Sequence, residues 1–520
     1  MVGALVALYI VGALSLFFVM RYNLHMFQLN GYKNDEQFHW LIINKGKQAL
    51  LILVAVMAAI LFFVCNVVTV IISIIIMLIV LKYYTFLRSV NTKKKLVYTM
   101  RVRRLIVSDV ILSAIIIALS YFAKGLEGVA VSEYFVIALQ PFVVIFANIV
   151  NIPVEKAVNR HFINDAKRIL KQNSHIKVIG VTGSYGKTSV KFYLNTLLQE
   201  KFNVLVTPES YNTPMGVVKT IRGMMKSTHE LFICEMGARH VGDIKEICDI
   251  VSPDCGMITS VGPQHLETFL SMENIVSTKF ELADALPEGG MLFLNGDNEY
   301  IRNKAGEYNN TFFYSTGCEV NGYIAKDIKL SQMGTTFTVV APDKEECVFQ
   351  TRLVGEHNVI NIVGAISVAA VLGIKLKDLR VPVRRIQSVP HRMQLIEKGN
   401  VTIIDDAFNS NPVGSKAAVE TLKLFDGIRI LITPGMVELG DKEEEYNYKF
   451  GTYAAKCCDY IYLIGKKRTE PIMNGVMSMD FPKDKCIACD NLEEAMNYAN
   501  AIKGDKHKYI LLENDLPDNY

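Results

Sequence analysis

Residues Lys177 to Tyr193 read KVIGVTGSYGKTSVKFY, and no other stretch restricts the fold as tightly. The apolar run Val178 to Val181 has the length of a buried parallel strand. A glycine loop follows, Gly183-Ser184-Tyr185-Gly186-Lys187-Thr188-Ser189, and Val190 to Glu200 reads as a helix. Strand, glycine loop and helix in that order form a cradle for phosphate. The glycines let backbone N–H groups approach an anion, the helix N-terminus adds partial positive charge, and Lys187 reaches the outer phosphates. Thr188 or Ser189 offers a hydroxyl to Mg²⁺. The common nucleotide pattern GxxxxGK[ST] needs a glycine where this chain has Val181, so the motif here is the shorter TGxxGKTS.

The chain is 51% hydrophobic over 520 residues, and the excess is concentrated at the front. Val2 to Met20 is almost wholly apolar and fits one span of about 20 residues. No basic segment precedes it and further spans follow, which favours an anchor over a cleaved signal peptide. Leu50 to Leu81 exceeds one span, and Asn66 at its middle predicts a tight helical hairpin. Leu105 to Ala123 and Val129 to Val150 bring the total to about five spans. The loop from Lys82 to Arg104 carries Lys82, Arg88, Lys93, Lys94, Lys95, Arg101, Arg103 and Arg104. The positive-inside rule makes it cytoplasmic, with the N-terminus outside and everything after Asn151 inside. ATP chemistry needs the cytosol, so the two arguments agree. Beyond topology, this loop suits contact with anionic lipid or lipid phosphate. Asp109, Glu133 and Gln140 are polar residues within the spans, placed to face a partner, a substrate or the interfaces.

A net charge of only +4 gives no global argument for a nucleic-acid partner. The ten cysteines are scattered, as expected of reduced thiols in a cytosolic part. Cys486 and Cys489 form a lone CxxC without the two further ligands that zinc requires.

After a polar linking helix, Ile152 to Ser174 with Pro153 in its first turn, strands and helices alternate. Asn203 to Val206, Leu231 to Glu235, Cys255 to Ser260 and Met291 to Asn295 read as strands. Helices are expected at Val217 to Met225 and Met272 to Leu286. The rhythm predicts an α/β domain with a mainly parallel sheet around the phosphate loop. Glu235, at the C-terminal end of its strand beside that loop, stands where a Mg²⁺ ligand belongs. Thr311 to Leu353 changes to antiparallel patterning, and a small-residue helix runs to Leu372. A second, smaller Rossmann-like α/β unit begins near Pro390, with strands at Val401 to Ile404, Ile428 to Thr433, Tyr460 to Ile464 and Tyr509 to Leu512. The domains expected are thus a transmembrane helical region over 1–150, a linker over 151–174, a central ATP-binding domain over 175–388 and a C-terminal domain over 389–520.

These segments resemble the Mur ligase family, most closely its MurF branch, over roughly residues 175 to 520. The motifs occur in the family's order: TGSYGKTS, YNTPMG, EMGARHVGDI, the His265 segment, STKFEL, LNGDN, GEHNVIN, PHR, DDAFNSNP and GMVELG. The resemblance implies an ATP-dependent ligase of cell-envelope synthesis, joining a carboxylate to an amino acid or dipeptide amine through an acyl phosphate. It implies that Gly183, Ser184, Tyr185, Gly186, Lys187, Thr188 and Ser189 hold ATP phosphates. Thr188, Glu235 and His265 would lie near Mg²⁺, and Lys279 is where the family often carries a carbamylated lysine that places a second Mg²⁺. Asn295 resembles the adenine-binding asparagine. Arg392 and Asp406 resemble residues closing on phosphate and ribose, and Asn409, Asn411, Pro412 and Glu438 those near the incoming amine.

Members of this branch normally open with a soluble domain that grips a UDP-sugar. Here about 25 residues separate the last span from the phosphate-loop strand, too few for such a domain. The expectation is that the acceptor carboxylate is presented from the membrane, on a polyprenyl-linked glycan or muropeptide. The alternatives are a membrane-bound MurF acting on soluble UDP-MurNAc-tripeptide, and a non-catalytic ATP-binding scaffold.

Overall fold

The computed structural model describes residues 2–64, 66–89, 95–408 and 410–515. Cys65, Lys93, Lys94 and Asn409 lie outside the described residues. The chain divides into two units, between His161 and Phe162.

The first unit is helical, as apolar segments without strand or turn signals require. Its helices are α1 (Val2–Leu29), α2 (Asn34–Ile43), α3 (Lys45–Phe63), α4 (Val67–Ser89) and α5 (Met100–Gln172), the last of which ends in the second unit. Among the described residues three helices are long and apolar enough to cross a membrane, and a fourth is added if the pair Asn34–Ile43 and Gln48–Phe63, bent by 91°, is one span. The hairpin expected at Asn66 is present: α3 ends at Phe63, and Asn66 Oδ1 accepts from Thr69 N at 2.9 Å to start α4. The two apolar stretches read from Leu105 to Val150 fall within α5, which is broken at Lys124 and at Gly125 (φ +60°, ψ −143°). Only glycine takes that backbone conformation at little cost. Pro153 lies inside α5 rather than at the start of a separate helix. A proline removes one hydrogen bond from the ladder, and the residues on both sides continue it. Leu8, Val54, Val70, Met77, Tyr84 and Tyr134 belong to the core of this unit. Gln140 donates to Asp109 at 2.8 Å, Tyr134 to the Ser73 carbonyl at 2.6 Å, and Arg104 makes a bidentate pair with Glu155 at 2.7 and 2.9 Å.

The second unit contains two sheets. The larger has nine strands in the order β2-β3-β1-β4-β5-β6-β7-β8-β9. They are β1 (Lys177–Thr182), β2 (Val204–Val206), β3 (Leu231–Glu235), β4 (Cys255–Ile258), β5 (Met291–Asn295), β6 (Thr311–Ser315), β7 (Gly322–Ser331), β8 (Gly334–Val340) and β9 (Glu346–Thr351). All pairs from β2 through β7 are parallel, and β7, β8 and β9 are antiparallel. The expected mainly parallel sheet forms, but the antiparallel patterning expected from Thr311 begins only at β7, because β6 (Thr311–Ser315) pairs in parallel with both β5 and β7. β1 is flanked by β3 and β4, which explains its unbroken apolar run: both faces and both edges are covered. Helix α6 (Lys187–Leu198) packs Val190, Leu194 and Leu197 into the core with Ile179 and Val181 of β1.

The smaller sheet has six strands, β10-β11-β15-β12-β13-β14, namely β10 (Gln394–Lys398), β11 (Val401–Asp406), β12 (Ile428–Thr433), β13 (Tyr460–Ile464), β14 (Cys486–Cys489) and β15 (Lys508–Glu513). The edge strands β10 and β14 were not legible in the sequence, since β10 is largely polar and β14 is only four residues long. Residues three apart on a strand face opposite ways, so Cys486 and Cys489 enter two different core clusters of this sheet. That arrangement rules out a shared metal or disulfide for the CxxC pair.

Candidate active site

The phosphate loop is fixed by the turn that follows β4. Ser184 N donates to the Ser260 carbonyl at 2.7 Å, Ser184 Oγ to the Gly262 carbonyl at 3.0 Å, and Tyr185 N to Ser260 Oγ at 3.0 Å. Two glycines are required by geometry. Gly183 (φ +152°) has Thr259 Oγ1 only 2.1 Å from where a Cβ would stand, and Gly186 (φ +80°) has Asn361 Oδ1 at 2.7 Å. The N-terminus of α6 therefore opens onto the loop, with Gly186 at its cap. Lys187 Nζ is folded back onto the carbonyls of Gly183 (2.7 Å) and Ser184 (3.2 Å). Burial lowers its pKa to about 8, against the pull of Glu235.

Glu235 ends β3 and is fully buried. Its Oε1 accepts from Thr188 Oγ1 and Asn212 Nδ2, both at 3.0 Å, and its Oε2 pairs with Lys191 Nζ at 2.9 Å. Burial pushes this carboxyl up, but Lys191, Lys187 and the Asn212 amide together hold it below its ordinary value. It is an anion at neutral pH beside the loop hydroxyl, the donor pair that a hard cation with phosphate ligands uses. Among the described residues no three His, Cys, Asp or Glu side chains converge to hold a metal. The residues fit a Mg²⁺ ion that arrives with nucleotide oxygens, and not a metal held by protein alone.

The other expected residues divide. His265 (φ +52°) hydrogen-bonds Glu438 (φ +64°), and Arg239 Nη1 lies 3.4 Å from the same carboxylate. Those two expected roles, metal-proximal and amine-proximal, thus meet in one contact. Lys279 is buried, with its Nζ 5.7 Å from the Phe269 ring centroid, and burial followed by the nearby Lys187 lowers its pKa to about 7. Asn295 is engaged on both sides, donating to the Thr259 carbonyl at 2.8 Å and accepting from Asp297 N at 2.9 Å. Arg392 comes from the second sheet's side, donates to Thr188 Oγ1 at 3.4 Å and lies 4.7 Å from the Phe408 ring. Asp406 accepts from Met393 N at 3.1 Å, and burial raises its pKa to about 6. Asn411 and Pro412 start the helix Pro412–Leu422, where Asn411 Oδ1 caps Gly414 N at 2.8 Å. Asn409 cannot be placed among them, since it lies outside the described residues.

Sequence reasoning gave no role to Lys191, nor to Asn212 and Asn361, which stand in the YNTPMG and GEHNVIN motifs. Lys191 had a signal: it follows Lys187 by four residues in a helix, so the two ammonium groups share one face. Asn212 and Asn361 are brought to the site only by tertiary folding.

Residues 181–369 match the Mur ligase middle domain, and residues 391–512 the Mur ligase, glutamate ligase domain. The UDP-N-acetylmuramoyl-tripeptide–D-alanyl-D-alanine ligase of Bacillus subtilis is 30% identical over 335 residues, 63% of this chain and 71% of that protein. The enzyme of the same name from Escherichia coli is 29% identical over 304 residues, 58% of this chain and 66% of that protein. The chain therefore spans about two thirds of the length of these relatives. The crystal structure of MurF ligase from Thermotoga maritima in complex with ADP superposes with a TM-score of 0.62 at 26% identity, covering 69% of this chain and 80% of that one. The two matched domains, the sheet topology and the phosphate loop agree: the chain belongs to the Mur ligase family of ATP-dependent acid–amino acid ligases.

Proposed function

We propose that the chain is a membrane-anchored ligase that uses ATP to join D-alanyl-D-alanine to the peptide carboxylate of a muramoyl tripeptide. The observation that carries this reading is the contact of Thr188 with Glu235 beside the Lys187 loop, joined to relatives named for that reaction. A carboxylate acylates poorly, so it is first converted to an acyl phosphate. Its oxygen attacks the γ-phosphorus of ATP, and ADP leaves. The dipeptide amine then attacks the acyl carbon, the tetrahedral intermediate expels phosphate, and the amine loses its proton.

In this reading Lys187 exchanges the Gly183 and Ser184 carbonyls for phosphate oxygens and neutralises charge as the phosphoryl group moves. Thr188 and Glu235 would hold Mg²⁺, which when bound would supply Lewis-acid stabilisation of the phosphates. Arg392, already at Thr188, adds charge from the C-terminal domain, and closure of that domain keeps water from the acyl phosphate. The depressed pKa of Lys279 leaves a substantial neutral fraction at pH 7. That is the form that adds CO₂, which supports a carbamate there and a second Mg²⁺.

A second reading, that the muramoyl peptide is carried on a polyprenyl lipid instead of UDP, is favoured by the apolar helices at the front of the chain. Phosphate release by the full chain in detergent tests both. Release with D-Ala-D-Ala and UDP-MurNAc-tripeptide, lost in Lys187→Ala, supports the first. Release only with a lipid-linked muropeptide supports the second, and release indifferent to any amine overturns the ligase reading.

A further inference from the structure

Lys191 is not part of the phosphate loop, yet its side chain is fully buried and ends on the proposed cation ligand. Its Nζ lies 2.9 Å from Glu235 Oε2 and donates to the Glu209 carbonyl. Glu209 belongs to the segment that also delivers Asn212 to Glu235 Oε1. Lys187 and Arg392 act on the same carboxylate through space, and Arg392 also reaches Thr188. Three cations thus surround one carboxylate, and Asp406 is a further carboxylate acting on Arg392. A bare divalent cation entering there meets repulsion and finds only one carboxylate oxygen, Oε1, without a cation on it. A nucleotide reverses this balance, because its phosphates bring several negative charges to Lys187 and Arg392.

We propose that Lys191 is a positioning residue that makes divalent-cation binding conditional on nucleotide. It occupies Oε2, holds Oε1 toward Thr188, and keeps the site from loading with metal alone. The inference rests on Thr188 and Glu235 being the Mg²⁺ ligands of the proposed ligase.

The test measures Mn²⁺ binding to the full chain in detergent, by the loss of the free-ion paramagnetic signal, with and without ADP. Wild-type protein is expected to bind Mn²⁺ appreciably only with ADP. Lys191→Met, and Lys191→Gln in case the first variant does not fold, should bind Mn²⁺ without nucleotide about tenfold more tightly than wild type, as expected when a contacting cation is removed from a buried carboxylate. Adding Glu235→Gln should abolish that gain, which a general loosening of the fold would not predict. Wild-type binding equally tight without ADP, no gain in either Lys191 variant, or a gain that survives Glu235→Gln overturns the proposal. Should Lys187→Ala and Glu235→Gln both leave Mn²⁺-ADP binding intact, the assignment of the site itself fails, whatever Lys191 does.

Discussion

At the residue scale, Lys187, Gly186 and Lys279 make the sharpest predictions. Lys187→Ala removes the loop cation that the proposed mechanism brings to the phosphates, and amine-dependent phosphate release should fall by about 10²-fold or more, with an unchanged circular dichroism spectrum. Gly186→Ala places a Cβ 2.7 Å from Asn361 Oδ1 at φ +80°. Nucleotide affinity should drop while the protein stays folded, and isothermal titration with ADP reads this directly. Lys279, with its pKa lowered to about 7, is increasingly neutral as pH rises above 7 and increasingly protonated below it. A carbamate forms from the neutral amine, so activity should fall on the acid side of 7 and in CO₂-depleted buffer, and bicarbonate should restore it. Lys279→Gln should be insensitive to bicarbonate. Restoration of the depleted wild type by ATP or Mg²⁺ alone would count against the carbamate.

At the element scale, the ends of strands were legible where a motif sat on them and obscure where the fold made a site from distant pieces. The run Val178 to Val181 and the glycines behind it announced β1 and the loop, because a buried parallel strand has no polar side to show. Nothing local in Asn295 reveals that its amide N–H turns to the Thr259 carbonyl, or in His265 that it turns to Glu438. Those contacts depend on chain segments tens of residues apart. Glu513, at the end of β15, went unnoticed for the same reason. It is buried, hydrogen-bonds Ser410, and accepts from Thr433 Oγ1 at 3.0 Å. Burial raises its pKa to about 8, so the folded state keeps a proton that the unfolded chain gives up near pH 4.5. The stability linked to this group is therefore full below about pH 4.5 and is lost as pH climbs toward 8. Glu513→Gln keeps the hydrogen bonds without the ionisation. Its melting temperature relative to wild type should rise between pH 5 and pH 8, as followed by circular dichroism. A constant difference across that range would show that Glu513 is ionised in the fold.

At the scale of the whole molecule, the apolar helices at the front were legible as composition, because a bilayer demands length and apolarity before anything else. The number of spans was less so: hydropathy marks apolar stretches, whereas α5 runs through two of them, with only the Lys124-Gly125 break between. Orientation follows from charge. Lys95, Arg101, Arg103 and Arg104 cluster where α5 begins, whereas Lys124 and Glu127 at its break are one of each sign. If these helices span a bilayer, the positive-inside rule predicts the start of α5 and the ligase domains in the cytosol and the break on the outer side. Both Lys95 and Glu127 are exposed, so single cysteines placed there, in a chain whose native cysteines are replaced, report the sidedness. Glu127→Cys should react with a membrane-impermeant maleimide in intact cells, and Lys95→Cys only after permeabilisation. The reverse pattern would put the ligase domains on the side without ATP. Labelling of both positions in intact cells would mean that the chain crosses no bilayer between Lys95 and Glu127.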